Sequence, residues 1–161
     1  MKILLSLMFG LFLIIALLSL VLSLSSRKQP ELGLLNGRLR PCPATPNCVC
    51  SEPPVAVSFI PPLAYSIAHA DAWHSVRQAV VETGGVLINE QDDYLHARYV
   101  TPLLRYIDDV ELRIDEHAHL IHIRSASRVG HADFGVNRRR VSRIWSAFDR
   151  QIGVAGNSRS N

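Results

Sequence analysis

Tyr94-Leu-His-Ala-Arg-Tyr-Val100, Tyr106-Ile-Asp-Asp-Val-Glu-Leu-Arg-Ile114 and His119-Leu-Ile-His-Ile-Arg-Ser-Ala126 follow one another with short gaps. In each, apolar and polar residues alternate, the period of a strand with one face packed and one face polar. The turn Asp115-Glu116-His117-Ala118 suggests a register in which Ile114 faces His119, Leu112 faces Ile121 and Val110 faces Ile123. Glu111 then meets His122 and Asp109 meets Arg124, opposite charges on the other side, as cross-strand pairing favours. Across Thr101-Pro102, the matching register sets Leu95 against Val110, Tyr94 by Glu111 and His96 by Asp109. A one-residue slip would bury the charges, so it is rejected. With Val86-Leu87-Ile88 as a further strand, the segment predicts a four-stranded antiparallel meander. Its polar face carries Tyr94, His96, Arg98, Asp109, Glu111, Arg113, His122 and Arg124.

Outside the meander the period changes to that of a helix. Trp73, Val76, Ala79 and Val80 share one face of a helix from Asp71 to Thr83, with Asp71 as N-cap and Gly84-Gly85 as the stop. Val141, Ile144, Trp145, Phe148 and Ile152 form a stripe on a last helix from about Asn137 to Gln151. Both tryptophans read as core residues. The order α-β-β-β-β-α predicts an α+β two-layer sandwich, with the helices on the apolar face of the sheet.

The apolar residues are concentrated at one end of the chain. From Met1 to Leu24, 19 of 24 residues are apolar, and Ile3–Leu24 is uncharged. As a helix those 22 residues reach about 33 Å, enough to cross a bilayer. Ser23-Leu24-Ser25 resembles a weak small-x-small cleavage site, but the run is long for a signal core, so an uncleaved anchor is the favoured reading. The α-amine and Lys2 on one side balance Arg27 and Lys28 on the other, so charge does not orient it. Residues 27–62 are dense in proline (Pro30, Pro41, Pro43, Pro46, Pro53, Pro54, Pro61, Pro62), which disfavours helices and central strands. They read as a stalk and a wrapping arm, with Leu32, Leu34, Leu35, Val55, Val57, Phe59, Ile60 and Leu63 as packing residues. The expected division is an anchor or signal segment 1–26, the arm 27–62, the α+β domain 63–152 and a disordered tail 153–161.

All three cysteines lie in Cys42-Pro-Ala-Thr-Pro-Asn-Cys48-Val-Cys50. This spacing fits no standard zinc finger or ribbon. Behind an export-type segment, a disulfide closing the loop is the natural reading, with Cys42–Cys48 the preferred pair and Cys50 left over. The alternative is three reduced thiols.

The stretch Ile123-Arg-Ser-Ala-Ser-Arg-Val-Gly-His-Ala-Asp-Phe-Gly-Val-Asn-Arg-Arg-Arg140 joins a strand to a helix through Gly130 and Gly135. Together with Pro41–Cys48 and Tyr106-Ile-Asp-Asp-Val-Glu111, it resembles the uncharacterised domain-of-unknown-function family 1499 over about Leu32 to Arg150. The resemblance implies an exported or membrane-attached domain and supplies no reaction. Cys50 stands where the family pattern has serine.

From Arg124 to Arg143 there are six arginines and one carboxylate, Asp133. Glycines that free backbone amides, followed by a helix N-terminus, suit an oxyanion. The candidate ligand-binding residues are Arg124, Ser127, Arg128, Asp133, Asn137 and Arg138, for a phosphate, a carboxylate or a lipid headgroup. The competing view is structural: Asp133 or Asn137 caps the helix, Arg128 pairs with Asp133, and Arg139, Arg140 and Arg143 form a solvated face. An enzyme alternative, a hydrolase, places His96 and His122 beside Asp109 and Glu111, as a zinc site or an acid–base pair, or uses Asp133 or His131 as base. A third alternative is a structural or assembly role. No cofactor is implied, and no HExxH, GxSxG, Walker or Rossmann pattern occurs. Beyond the apolar run, 16 basic side chains face 14 acidic ones, too even a balance for nucleic acid. The expected partners are the bilayer, through residues 3–24, and a small anion or a protein on the extracytoplasmic side.

Overall fold

A computed structural model describes residues 1–52 and 57–158; Pro53, Pro54 and Val55 of the arm and the tail residues 159–161 lie outside them. The expected order appears as α2 (His69–Glu82), β5 (Val86–Gln91), β6 (Tyr94–Val100), β7 (Ile107–Asp115), β8 (Leu120–Ser127) and α3 (Val136–Ser158). Before them come α1 (Lys2–Ser25), β1 (Leu34–Leu35), β2 (Arg38–Leu39), β3 (Cys48–Cys50) and β4 (Leu63–Ala64). The fold is α+β, with α2 and α3 against one face of an antiparallel sheet.

The alternation sets this arrangement. Leu95, Ala97, Val110, Leu112, Ile114, Ile121 and Ile123 point from the sheet to Val76, Ala79 and Val80 of α2 and to Val141, Ile144 and Phe148 of α3, all in one core. Trp73, Trp145 and Ile152 pack at its margin. Truncating fully buried Phe148 to alanine would remove about 3–5 kcal/mol. Gly84 ends the helical turn with a φ of +96°. Gly85 sits so close beneath Tyr99 that a Cβ would lie 2.9 Å from its ring and 2.6 Å from Val80 Cγ1.

Several boundaries differ from the sequence expectation. Asp71 is not the N-cap: α2 begins at His69 after Ala68, and Asp71 lies in the first turn, where a carboxylate favours the helix dipole. α3 continues to Ser158, through residues assigned to the tail. The meander register is shifted by two at both hairpins. Ile114 pairs with Ile121, Leu112 with Ile123 and Glu111 with Arg124, while Leu95 pairs with Leu112 and His96 with Glu111. A shift of two preserves which face each side chain occupies. The cause at the second hairpin is the turn: His119 takes the left-handed conformation (φ 52°), so Asp115 pairs with Leu120 and the loop moves on by one residue.

The arm contributes strands of its own. β3 and β4 both pair with the free edge of β8, Cys48 opposite Ala126 and Leu63 opposite Ile121. β1 and β2 form a hairpin around Asn36-Gly37, both at positive φ, the chemistry of a tight two-residue turn. The arm packs through Leu39, Val49, Cys50, Ile60 and Leu63, whereas Leu34, Leu35, Val57 and Phe59 are exposed. Val49, Ile60 and Leu63 join the core under the helices, whereas Leu39 and Cys50 pack with Tyr94 on the other side, where Gly33 and Glu52 bond to Glu111 and Arg113, so this part of the arm covers the polar face of the sheet. α1 stands away from the domain except at its last turns, where Ser23 and Ser26 are buried.

Candidate functional site

The covered sheet face is a layer of paired charges. Asp109 accepts two hydrogen bonds from Arg128, Nε to Oδ2 and Nη2 to Oδ1, both 2.7 Å, and a third from His96 Nε2 at 2.8 Å. Glu111 accepts the Tyr94 hydroxyl at 2.7 Å, Arg124 Nη1 at 2.9 Å and the backbone amide of Gly33 in the arm at 2.8 Å. Glu52 accepts Arg113 Nη2 at 2.7 Å and the Leu39 amide at 2.9 Å. His122 Nδ1 lies 3.2 Å from the Ser51 hydroxyl. Burial works against ionised Asp109, but hydrogen bonds from Arg128 and His96 outweigh it and hold its carboxyl below the usual range. Glu52 follows the same pattern, with Arg113 and the Leu39 amide overcoming burial. Burial pushes Tyr94 up, reinforced by Glu111, so its hydroxyl stays a donor. The diagonal contacts Tyr94–Glu111 and His96–Asp109 bring together the pairs expected from the sequence, even though their strand register differs.

These partners account for two of the candidate arginines. Arg124 and Arg128 are held by Glu111 and Asp109, and Arg128 does not pair with Asp133. Ser127 and Asn137 lie on the other side of the sheet. There Asn137 Oδ1 accepts the Ser125 hydroxyl at 2.6 Å and a bond from Arg140, while its amide donates to Ser127 Oγ and to the Asn47 carbonyl. Arg140 is paired with buried Asp108 and lies over the Tyr99 ring. Asp133 caps α3: its oxygens accept the amides of Gly135 at 2.9 Å and Asn137 at 2.7 Å. The six candidate residues thus do not converge on one pocket.

Two of them do meet. Asp133 and Arg138, with Gly135, form one wall of a cleft of about 470 Å³. Pro43, Ala44, Thr45, Pro46, Cys48 and Val49, in and beside the cysteine loop, form the other. Cys42 and Cys48 are joined by a disulfide, and Cys50 is a buried free thiol. Asn47 fastens the two walls: its amide donates to the carbonyl of Gly130 at 2.7 Å, and its own carbonyl accepts Asn137 Nδ2 at 2.9 Å. Arg138 is exposed, and its Nη2 donates to the Phe59 carbonyl at 2.9 Å. Among the described residues no ion pair joins it to a carboxylate, and Asp133 on the same wall is turned to the amides at the start of α3. A smaller cavity of about 170 Å³ lies between Gln29, Leu32 and Gly33 of the arm and Tyr94 and His96 of the sheet. Among the described residues, no group of three or more His, Cys, Asp or Glu side chains is placed to hold a metal ion.

The two walls of the cleft are the Pro41–Cys48 and Ile123–Arg140 stretches, and the third quoted stretch, Tyr106–Glu111, supplies Asp108, Asp109 and Glu111 to the networks on either side of the sheet. A protein family of unknown function, DUF1499, matches residues 38–148. The chain belongs to the DUF1499 family. No curated protein and no solved structure matches it. In this DUF1499 chain the matched region begins at β2 and ends within α3, so it includes both walls of the cleft and most of the covering arm. Asn47 was not among the candidates read from the sequence. Its place beside Cys48, inside a loop already singled out, is the signal that could have found it.

Proposed function

We propose that this DUF1499 protein is a membrane-anchored extracytoplasmic domain that binds a small amphiphilic anion, a phosphate or carboxylate bearing an apolar portion. The observation that carries the reading is Arg138: a cationic side chain on the wall of a mainly apolar cleft, with no carboxylate partner among the described residues. A guanidinium offers paired donors to such a headgroup. The apolar walls from Pro43 to Val49 suit the rest of the ligand.

The location rests on two features. α1 is long and apolar enough to cross a membrane. The Cys42–Cys48 disulfide is consistent with an oxidising compartment. The loop carrying Asp133 and Gly135 leaves β8 at the sheet end where α1 joins the domain, and Phe134 between them is 89% exposed. Phe134 therefore offers an exposed apolar side chain between two residues of the cleft wall. The hydrolase alternative has less support. His96 and Asp109 are buried beneath the arm, and Arg128 already occupies the carboxylate.

Thermal stability of the full chain in zwitterionic nanodiscs tests the reading with hexyl phosphate, inorganic phosphate and hexanol. Hexyl phosphate at ten times its Kd is expected to add about 1.4 kcal/mol, a rise of about 4 °C in Tm. Phosphate should act more weakly and hexanol not at all, and Arg138→Ala should abolish the effect. Equal stabilisation of the Arg138→Ala variant, or none of the wild type by any anion, would contradict it.

A further inference from the structure

We infer that the β6–β7 loop is a second point of membrane contact, with Leu103 and Leu104 seated among the lipids next to α1; the inference rests on α1 being an anchor. Leu103 is 87% exposed and Leu104 is also exposed, although both are large apolar side chains on a folded domain. Their loop, Thr101–Tyr106, lies where the domain holds the end of α1. The Ile107 amide, one residue beyond the loop, donates to the Ser26 hydroxyl at 3.3 Å. Arg128 Nη1 donates to the carbonyls of Ser26, Arg27 and Lys28 at 3.2–3.4 Å. The Arg128 amide in turn donates to the Ile107 carbonyl, which ties this end of the sheet together.

No free linker separates the helix from the domain. Ser26 is fully buried and Ser23 is buried, so the domain meets α1 at its last turn. The helix has 24 residues, about 36 Å, against a hydrocarbon core of about 30 Å. Its final turn therefore belongs to the interfacial layer, and the structure beside that turn sits at the same depth. The polar residues there suit the layer as well. Arg27 and Lys28, just past the end of α1, and Arg105, next to Leu104 in the loop, are exposed cations suited to anionic headgroups. The lipid surface is thus the occupant to which both charge and position point.

The test uses the full chain in vesicles of phosphatidylcholine and phosphatidylglycerol, in a Cys50→Ser background so that a spin label reports one site at a time. Labels go to Leu103→Cys, to Ile14→Cys within α1 and to His117→Cys at the opposite end of the sheet. Collisions with oxygen, which favours lipid, are compared with those of a water-soluble nickel chelate. At position 103 the oxygen-to-nickel ratio is expected to be several-fold above that at 117 and to lie on the same side as that at 14. A lipid-like ratio at 14 with a water-like ratio at 103 overturns the loop contact and leaves the anchor standing. Water-like ratios at both 14 and 103 overturn the anchor, and the inference with it.

Discussion

Arg128 and Asp109 form a two-pronged ion pair inside the protein, with both bonds at 2.7 Å and the side chains 3% and 2% exposed. The same guanidinium reaches the carbonyls at the C-terminal end of α1, where partial negative charge collects. One side chain therefore joins the sheet, a buried carboxylate and the apolar helix.

Breaking this pair from one side should be costly, because the remaining charge stays buried. Arg128→Met is expected to remove about 3–5 kcal/mol of stability. Adding Asp109→Asn should restore part of it, since the orphaned carboxylate is gone. Denaturant unfolding of the full chain in detergent, followed by the fluorescence of Trp73 and Trp145, measures both. Additive losses in the double variant would show that the two residues are not coupled.

The protein should lose stability in acid, and the sign follows from its buried groups. Burial opposes ionised Asp109 and Glu52, yet their arginine partners hold both below the ordinary carboxylate range. Their contribution is complete above the unfolded values, about 4, and is lost as pH falls through the lower folded values. Burial pushes His122 down from its ordinary value, so the folded state favours the neutral ring. That contribution is present above about pH 6.5 and falls away below it. Tm measured from pH 7 to pH 3 should decline in two stages, and Asp109→Asn should flatten the lower one. A profile with no decline would contradict the buried charge layer.

Opening the Cys42–Cys48 disulfide should loosen the cleft wall. The loop is short, so the unfolded-state entropy amounts to about 2 kcal/mol. The Cys42→Ser, Cys48→Ser variant should lose that stability and also the response to hexyl phosphate. Retention of the full response would place the ligand elsewhere.

Cys50 should be inert in the folded protein. Burial pushes its thiol up to about 11, although the Glu52 amide hydrogen bond opposes the rise. Iodoacetamide at pH 8 is expected to add nothing to the native chain and one adduct in guanidinium, read by mass. Rapid labelling of the native chain would show that the arm opens.

Much of this architecture was legible in the alternation of β6 to β8 and the stripes of α2 and α3, because burial imposes those periods directly. Register was legible only to within two residues. Alternation fixes the face of Glu111, but the turn conformation at His119 decides which residue it opposes. The covered face was not legible. Its cover comes from contacts remote in sequence, Gly33 with Glu111 and Glu52 with Arg113, which no local pattern reveals. Within the arm, Asn36-Gly37 was the available hairpin signal. At the candidate site, clustering of arginines in the sequence did not separate those facing the arm, Arg124 and Arg128, from Arg138 at the cleft. Strand alternation, continued one step past β8, puts Arg124 and Arg128 on one face, while Arg138 belongs to α3, where that period does not apply.

Native mass spectrometry of the full chain released from membrane nanodiscs tests the central claim most directly. The expected spectrum shows the chain with its disulfide intact, residues 1–26 retained and a bound acidic amphiphile, an adduct that disappears in Arg138→Ala. An adduct-free wild type, or an adduct kept equally by Arg138→Ala, would contradict the binding cleft.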